Sequence, residues 1–252
     1  MTRETKSVQR LFVDQLLAAD KTLTLNGNPA HYLRIVLRVS VDDSVLVFNG
    51  HDGEWHAQIT ALDKRTVTLV TAHQTRPQTT SETRQADIWL LVAPVKRARL
   101  GYLAQKATEM GVTRLVPVIT QRTQGGTVNL DRLRTNAQEA AEQCGILLVP
   151  DIMTPTRLDD VLQDWDGART LLFCDEKAEA DMVVSELSTK LRPPLAVLIG
   201  PEGGFTSQER DGLLALNQTV QMSLGPRILR TDTAVVAALT LVQWLAGDWQ
   251  GG

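Results

Sequence analysis

From residue 86 onward, short apolar runs alternate with segments of helical periodicity, and this alternation constrains the fold more than any other feature. A helix between successive strands favours a parallel sheet with helices on both faces, because parallel strands need a crossover connection. Strands are predicted at residues 88–92, 115–119, 170–174, 195–199 and 220–224. Helices are predicted at residues 100–107, 130–144, 178–191, 207–216 and 233–246, with Gly111 and Gly145 ending the first two. The predicted fold class of this region is α/β.

The first part of the chain has a different pattern. Trp55, Ala57 and Ile59 alternate with polar residues, and residues 45–48 and 67–70 are short β-branched runs. Residues 49–53, Asn-Gly-His-Asp-Gly, predict a hairpin loop. Residues 73–85 contain no large apolar side chain, which is typical of a linker. We therefore predict a small β-barrel at residues 1–75, a linker at 76–85 and the α/β domain at 86–252.

Composition limits the classes of protein that fit. No window approaches the roughly 18 apolar residues that a membrane helix needs, and the N-terminus has no signal-peptide pattern, so we expect a cytoplasmic protein without a membrane partner. Two cysteines and four scattered histidines lack metal-ligand spacing, so no metal is predicted. The net charge is −3, which means that any contact with nucleic acid must use a local basic patch.

Two strand ends have unusual sequences, and ligands of open α/β sheets bind beyond such ends. The first is residues 198–206, Leu-Ile-Gly-Pro-Glu-Gly-Gly-Phe-Thr. Its glycines allow close approach of the backbone to a ligand, and Thr206 with Glu209 predicts a capping box at the start of the next helix. A nucleotide-like ligand or a tight structural turn both fit this segment.

The second strand end is residues 224–233, Leu-Gly-Pro-Arg-Ile-Leu-Arg-Thr-Asp-Thr, which precedes a very apolar helix. A structural interpretation is a helix entry with Thr231 as N-cap and Asp232 in the first turn, where the helix dipole favours an acid. An ion pair between Arg230 and Asp232 is also compatible with it. By itself this segment does not identify a function.

Together, these segments resemble the ribosomal RNA small subunit methyltransferase E family of the SPOUT superfamily. The resemblance is carried by IGPEGGFTSQE at 199–209 and LGPRILRTDTA at 224–234. It is supported by RLFV at 10–13, HYLRIVLRV at 31–39, QKATEMGV at 105–112 and AAEQCG at 140–145. Three departures are Asp232 where glutamate is commoner, Gln121-Arg122-Thr123 where Glu-Arg-Ser is usual, and Ile146 where arginine is typical. The last removes a positive charge, which puts any role of that arginine in doubt.

The resemblance implies an N-terminal PUA-like barrel that grips RNA and a C-terminal SPOUT sheet with a deep trefoil knot. It implies a homodimer, with an S-adenosylmethionine site in the knot against the partner subunit. The implied reaction is methylation of uridine N3 in 16S rRNA, with the assembled small subunit as substrate. N3 lies on the pairing edge of uracil, so the target base must be unpaired or extruded. The alternatives are a SPOUT enzyme acting on another RNA position and a non-catalytic RNA-binding assembly factor.

Site residues follow from these motifs as hypotheses. We expect Arg230, or failing that Arg227, to orient the uracil and stabilise its anion, since a guanidinium stays charged. Glu202 is a candidate general base or partner of the sulfonium, with a solvated loop carboxylate as the alternative. The predicted cofactor-binding residues are Leu198, Ile199, Gly200, Glu202, Gly203, Gly204, Leu224, Gly225, Ile228 and Leu229. Ile228 and Leu229 are expected to flank the adenine, and a place in the apolar core fits them equally well. The predicted phosphate-binding residues are Arg10, His31, Arg34 and Arg38, with Arg34 and Arg38 sharing a face if their segment is helical; a solvated basic face is the alternative.

Overall fold

The computed structural model describes residues 9–78, 86–95, 97–124, 127–178 and 184–249. The chain forms two compact units, of which unit 1 is Met1–Thr79 with Ala141–Leu148, and unit 2 is Thr80–Ala140 with Val149–Gly252. Within the described ranges, no helix has the length and apolar character required to cross a membrane. The same ranges hold no group of three or more His, Cys, Asp or Glu side chains placed to bind a metal ion.

Unit 1 is built on one five-stranded sheet in the order β1-β3-β4-β5-β2, in which β1 runs parallel to β3 and the other pairs are antiparallel. The strands are β1 (Arg10–Phe12), β2 (Thr22–Leu25), β3 (Ser44–Phe48), β4 (Glu54–Leu62) and β5 (Val67–Arg76). Helix α1 (Gly27–His31) continues directly into a π-helical turn (Tyr32–Val36). The predicted hairpin between β3 and β4 is confirmed, and its Gly50 and Gly53 have φ of +85° and +77°, which glycine adopts without strain.

All five strands of unit 1 contribute side chains to one apolar core. Leu11, Leu23, Val47, Ile59 and Leu69 each come from a different strand and are at most 4% exposed. A sheet whose strands all face one core must be strongly curved. The predicted alternation along β4 is confirmed, because Ala57 and Ile59 are fully buried and the intervening Gln58 is exposed.

The limits of unit 1 differ from the sequence prediction in two ways. Strand β5 continues to Arg76, beyond the predicted end at residue 75, because residues 73–76 pair with β4 although they are polar. Residues 141–148 also belong to this unit, which no local pattern indicated. Of the predicted linker at 76–85, residues 79–85 lie outside the described part of the chain.

Unit 2 contains a parallel sheet in the order β12-β10-β11-β6-β7-β8. Strand β7 pairs with β8 through its first residues and with β9 through its last two. Its strands are β6 (Ile88–Val92), β7 (Arg114–Ile119), β8 (Asp151–Ile152), β9 (Thr156–Arg157), β10 (Thr170–Cys174), β11 (Leu195–Ile199) and β12 (Thr219–Met222). Its helices are α2 (Arg97–Glu109), α3 (Leu130–Cys144), α4 (Leu158–Gln163), α5 (Val184–Lys190), α6 (Ser207–Ala215) and α7 (Thr231–Ala246). The predicted α/β class is confirmed.

Most predicted elements of unit 2 are present, with small shifts at their ends. The last strand lies at 219–222 and not at 220–224, and α7 begins two residues before the predicted residue 233. The helix predicted at 178–191 is described only from Val184, and residues 179–183 lie outside the described part. The sequence reasoning missed β8, β9 and α4, which are too short to establish a period.

The sheet of unit 2 is buried on both faces by alternate residues of each strand. Leu90 and Val92 of β6 pack in one apolar cluster with α2, α3, α5 and α7, whereas Leu91 packs in a second cluster with α4 and α6. Strand β11 is buried along its whole length. The parallel strands therefore bring their carboxyl ends to one edge, where β11 ends at Ile199 and Gly200 begins the glycine-bearing segment.

Candidate active site

A cleft opens at the carboxyl ends of three neighbouring strands, β10, β11 and β12. The segments that follow these strands contribute residues from 174–177, 199–205 and 223–229 to its wall, and Arg210 of α6 and Thr231 and Ala234 of α7 complete it. The two segments singled out in the sequence therefore meet at one site. Binding at the carboxyl edge is the usual position for ligands of open α/β sheets.

The segment after β11, residues 199–206, is held in shape by close packing and by the helix that follows it. A Cβ at Gly200 would lie 2.5 Å from the ring of Phe205, so this position has room only for glycine. The predicted capping box is confirmed: the Thr206 hydroxyl accepts from the backbone N–H of Glu209, and the Glu209 carboxylate accepts from the backbone N–H of Thr206 at 2.8 Å. The same carboxylate accepts a 2.7 Å hydrogen bond from the backbone of Gln121.

The segment after β12 supplies the apolar side of the cleft. Ile228 is 89% exposed, which rules out its interpretation as a core residue, whereas Leu229 packs against the core of unit 2. Leu224 and Gly225 also line the cleft, and Gly225 has φ of +101°. An exposed isoleucine at the mouth of a cleft is available to a flat apolar ligand group.

The entry into α7 differs from the predicted one. Arg230 occupies the N-cap position, without a side-chain capping bond, and Thr231 is the first residue of the helix. The Thr231 hydroxyl is buried and lies 3.5 Å from the carbonyl oxygen of Gly200, which joins the two loops directly. Asp232 lies 4.0 Å from Arg99, and the structure shows no ion pair between Arg230 and Asp232.

A third segment, Asp175-Glu176-Lys177 after β10, also lines the cleft and was missed by sequence reasoning. Asp175 is buried and accepts hydrogen bonds from Arg210 Nε at 2.6 Å, Gln221 Nε2 at 2.7 Å and the backbone N–H of Lys177 at 3.0 Å. Burial by itself would raise the pKa of Asp175, but these donors hold it below its ordinary value. A signal existed, since three charged residues directly follow a buried strand. The strand order that brings β10 between β11 and β12 could not be read from the sequence.

The charged side chains at the cleft have different partners. Glu202 Oε1 lies 3.4 Å from Nη1 of Arg99, so its charge is partly compensated. Arg227 lines the cleft and is exposed. Arg122, within the departing Gln-Arg-Thr triplet, donates to the carbonyl oxygen of Gly203 at 2.8 Å.

The structure brings most of the predicted site residues together but corrects three of them. Leu198 is 1% exposed and packs in the core, and Gly203 turns its carbonyl to Arg122, so neither lines the cleft. Arg230 is exposed beyond the cleft wall, so of the two predicted arginines only Arg227 lines the cleft. The predicted residues that do line the cleft are Ile199, Gly200, Glu202, Gly204, Leu224, Gly225, Arg227, Ile228 and Leu229.

The thiol at the cleft is unsuited to nucleophilic chemistry. Burial raises the pKa of Cys174 to about 12. Because only the thiolate reacts readily, this cysteine is chemically inert at neutral pH. Both cysteines of the chain are free thiols.

Arg10, predicted to bind phosphate, lies instead in the interior of unit 1. Its Nε is 2.6 Å from Glu54, and its terminal nitrogens donate to the carbonyl oxygens of Ala141, Glu142 and Ile146 at 2.5–3.0 Å. Only 13% of its side chain is exposed. The prediction for Arg10 is therefore wrong, because its donors are used inside the protein. Ile146, where an arginine is typical, contributes through its backbone.

The other predicted RNA-binding residues lie on the surface of unit 1, although not on one helix face. His31 ends α1, Arg34 lies in the π-helical turn, and Arg38 follows it with φ of +52°, so the helical interpretation of the Arg34–Arg38 pair is wrong. Arg34 Nη1 donates to the backbone oxygen of Lys64 in the β4–β5 turn. This contact brings Lys64 and the exposed Arg65 to the same region, which sequence reasoning had missed.

Comparison with known proteins agrees with the geometry of both units. A family model described as an RNA methyltransferase domain matches residues 81–243, and one described as an RNA methyltransferase PUA domain matches residues 25–71. The protein is thus an RNA methyltransferase that carries a PUA domain.

Individual relatives narrow the class further. The ribosomal RNA small subunit methyltransferase E of Rickettsia conorii is 32% identical over 238 residues, which cover 94% of this chain and 95% of the relative. A methyltransferase of Legionella pneumophila, solved with the cofactor S-adenosylmethionine, superposes with a TM-score of 0.83 at 26% identity. The Neisseria gonorrhoeae ribosomal RNA small subunit methyltransferase E, also solved with S-adenosylmethionine, gives 0.81 at 27%. Both alignments cover 96% of this chain and all of the solved chain. The chain belongs to the ribosomal RNA small subunit methyltransferase E family.

Proposed function

We propose that this protein transfers a methyl group from S-adenosylmethionine to N3 of a uridine in 16S rRNA. The observation that carries the proposal is the meeting of the 199–206 and 223–231 segments at one cleft, joined by the contact of Thr231 with Gly200. The names of the relatives support the rRNA target, and the two solved neighbours support the cofactor.

The residues of the cleft fit S-adenosylmethionine. Leu224, Ile228 and Leu229 offer apolar surface to an adenine ring, and Gly200 and Gly204 also line the cleft. Glu176 and Glu202 offer carboxylates to a positively charged ligand. When bound, the cofactor supplies an electrophilic methyl group on a sulfonium.

The protein must then orient the uracil and manage its N3 proton. Arg227 is an exposed guanidinium at the cleft, and it can donate to the carbonyl oxygens that flank N3 and stabilise negative charge as N3 loses its proton. We therefore assign this task to Arg227 before Arg230, in the reverse of the order that the sequence suggested. Arg230 does not line the cleft, so it would contact the uracil only at a site to which a second chain or the RNA also contributes.

Unit 1 supplies the contact with RNA in this proposal. Its exposed Arg38, Lys64 and Arg65, together with Arg34, offer cationic groups to phosphates, and the exposed His31 offers a ring nitrogen as a hydrogen-bond donor. We further propose a homodimer whose partner closes the open side of the cleft, a trefoil knot at the cofactor site, a cytoplasmic location and the assembled small subunit as substrate. Membership of the family supports these proposals.

The decisive experiment is labelled methyl transfer to small ribosomal subunits from a strain that lacks the enzyme. Mapping of the product should find the label on N3 of one uridine in 16S rRNA. Label on another position or another RNA would replace the proposed target while keeping the enzyme class. Failure to bind S-adenosylmethionine, with RNA binding retained, would favour an assembly factor.

Matched variants assign the arginines. Arg227→Ala should lower turnover by about a hundredfold, in the range that loss of one preorganised donor costs, with little change in cofactor affinity. Arg230→Ala should have the smaller effect. The opposite order would return the role to Arg230.

A further inference from the structure

The two glutamates of the cleft differ in what surrounds their carboxylates. The charge of Glu202 is partly compensated by Arg99 at 3.4 Å. For Glu176, the described part of the chain contains no salt bridge, and the side chain is exposed at the cleft. Its Oε1 lies 2.7 Å from the position that a Cβ would occupy at Gly204. The carboxylate of Glu176 therefore occupies space beside the 199–206 backbone that is open only because residue 204 is glycine.

The backbone that carries Glu176 is fixed on both sides. Asp175, immediately before it, is buried and joined to Arg210 of α6 and Gln221 of β12. The same carboxylate accepts from the backbone N–H of Lys177, immediately after it. A short segment held in this way presents the intervening side chain at a defined place, so less ordering is needed when a ligand binds.

We propose that Glu176 recognises the positively charged methionine half of S-adenosylmethionine, a statement that rests on the proposed function. The donor carries two positive groups, a sulfonium and an ammonium. A carboxylate without a salt bridge at a protein cleft attracts such a group more strongly than a compensated one does. Glu176 thus takes the role for which sequence reasoning had considered Glu202, because Arg99 offsets the charge of Glu202.

The test is calorimetry of the full-length protein with three ligands of graded charge. S-adenosylmethionine has both positive groups, S-adenosylhomocysteine keeps only the ammonium, and 5′-methylthioadenosine has neither. Glu176→Gln, which keeps the size of the side chain and removes its charge, should weaken S-adenosylmethionine about tenfold and leave 5′-methylthioadenosine unchanged. Glu186→Gln on α5 is the matched control, since Glu186 is exposed, and should change no affinity.

The outcomes separate the possibilities. Loss for S-adenosylmethionine alone identifies the sulfonium as the recognised group, and loss for S-adenosylhomocysteine as well identifies the ammonium; both support the proposal. An unchanged affinity for S-adenosylmethionine overturns it, as does an equal loss for all three ligands, which would mean that Glu176 only shapes the cleft. A larger effect of Glu202→Gln would also overturn it. If the unaltered protein binds no S-adenosylmethionine, the proposed function itself fails.

Discussion

Glu54 Oε2 lies 2.6 Å from Nε of Arg10 inside unit 1, and Glu54 is only 3% exposed. The same carboxylate accepts from Arg76 at 2.7 Å and from the Thr75 hydroxyl at 2.9 Å. Burial opposes the charged form of Glu54, but the hydrogen bonds from the arginines and Thr75 outweigh it and lower the pKa from 4.5 to about 2. Glu54 is therefore a charged residue on which the folded state of unit 1 depends.

The first prediction concerns acid stability. Because the pKa of Glu54 is lowered on folding, its contribution to the free energy of unfolding is present above pH 4.5 and is lost as the pH falls towards 2. Glu54→Gln should destabilise unit 1 by about 3 kcal/mol at pH 7, since it leaves two arginines without their carboxylate. Hydrogen exchange of the β3 and β4 amides across this pH range measures it. Asp14→Asn, an exposed acid of the same unit, should change little, and an equal effect of both variants would contradict the prediction.

The second prediction concerns Gly204, which has φ of +66° and lies against Glu176. Gly204→Ala strains the backbone and displaces that carboxylate, so the affinity for S-adenosylmethionine should fall by about tenfold while the fold is retained. Gly203→Ala is the control: its φ is not in the left-handed region, and its nearest neighbour would be Arg122 Cβ at 3.5 Å. Calorimetry that found the same loss at both positions would count against this view of the loop.

The third prediction concerns Asp175. Asp175→Asn removes the carboxylate charge that accepts hydrogen bonds from Arg210 and Gln221. It should lower the free energy of unfolding by about 2 kcal/mol, as the loss of hydrogen bonds to a charged group does. Because folding lowers the pKa of Asp175, this contribution should persist above pH 3.8 and disappear as the pH falls below it. Urea unfolding measures the effect. Asp211→Asn, an exposed change on α6, should leave the midpoint in place, and if Asp175→Asn did so too, the network would have no structural importance.

The fourth prediction concerns RNA. Replacing Arg38, Lys64 and Arg65 together by alanine should weaken RNA binding. It should also reduce the slope of log affinity against log salt by about 2, if each basic side chain releases a counterion from the RNA. The control variant replaces three exposed basic side chains of unit 2 by alanine, Arg132, Arg157 and Lys190. Filter binding at several salt concentrations distinguishes the two. An unaltered slope in the first variant would exclude this surface from phosphate contact.

Local patterns predicted the elements of unit 2 well, because Leu195–Ile199 is an unbroken apolar run and Leu130–Cys144 is a long segment of helical periodicity. The capping box at Thr206 was readable for the same reason. Partnerships between distant residues were not readable. Nothing beside Arg10 in the sequence indicates that the three carbonyl oxygens that accept its hydrogen bonds lie more than 130 positions further along the chain.

The site residues that lie in an unusual segment directly after a strand were predicted. Those that reach the cleft only because of the order of strands in the sheet were missed. Gly200 and Leu224 were found because each follows a strand in an unusual segment. Asp175 and Glu176 were missed because they become part of the cleft only through the position of β10 between β11 and β12. Arg230 and Arg227 are three residues apart, and only the backbone conformation shows which of them lines the cleft.

The carbonyl groups that engage Arg10 and Arg76 belong to residues 141–146, although both arginines precede residue 80. During synthesis, the first 79 residues emerge well before these acceptors exist, at about 5–20 residues per second. For several seconds, the first 79 residues of a nascent chain therefore lack the carbonyl acceptors of Arg10 and Arg76. A ribosome that stalls before residue 141 would carry a β-sheet that cannot reach its final stability.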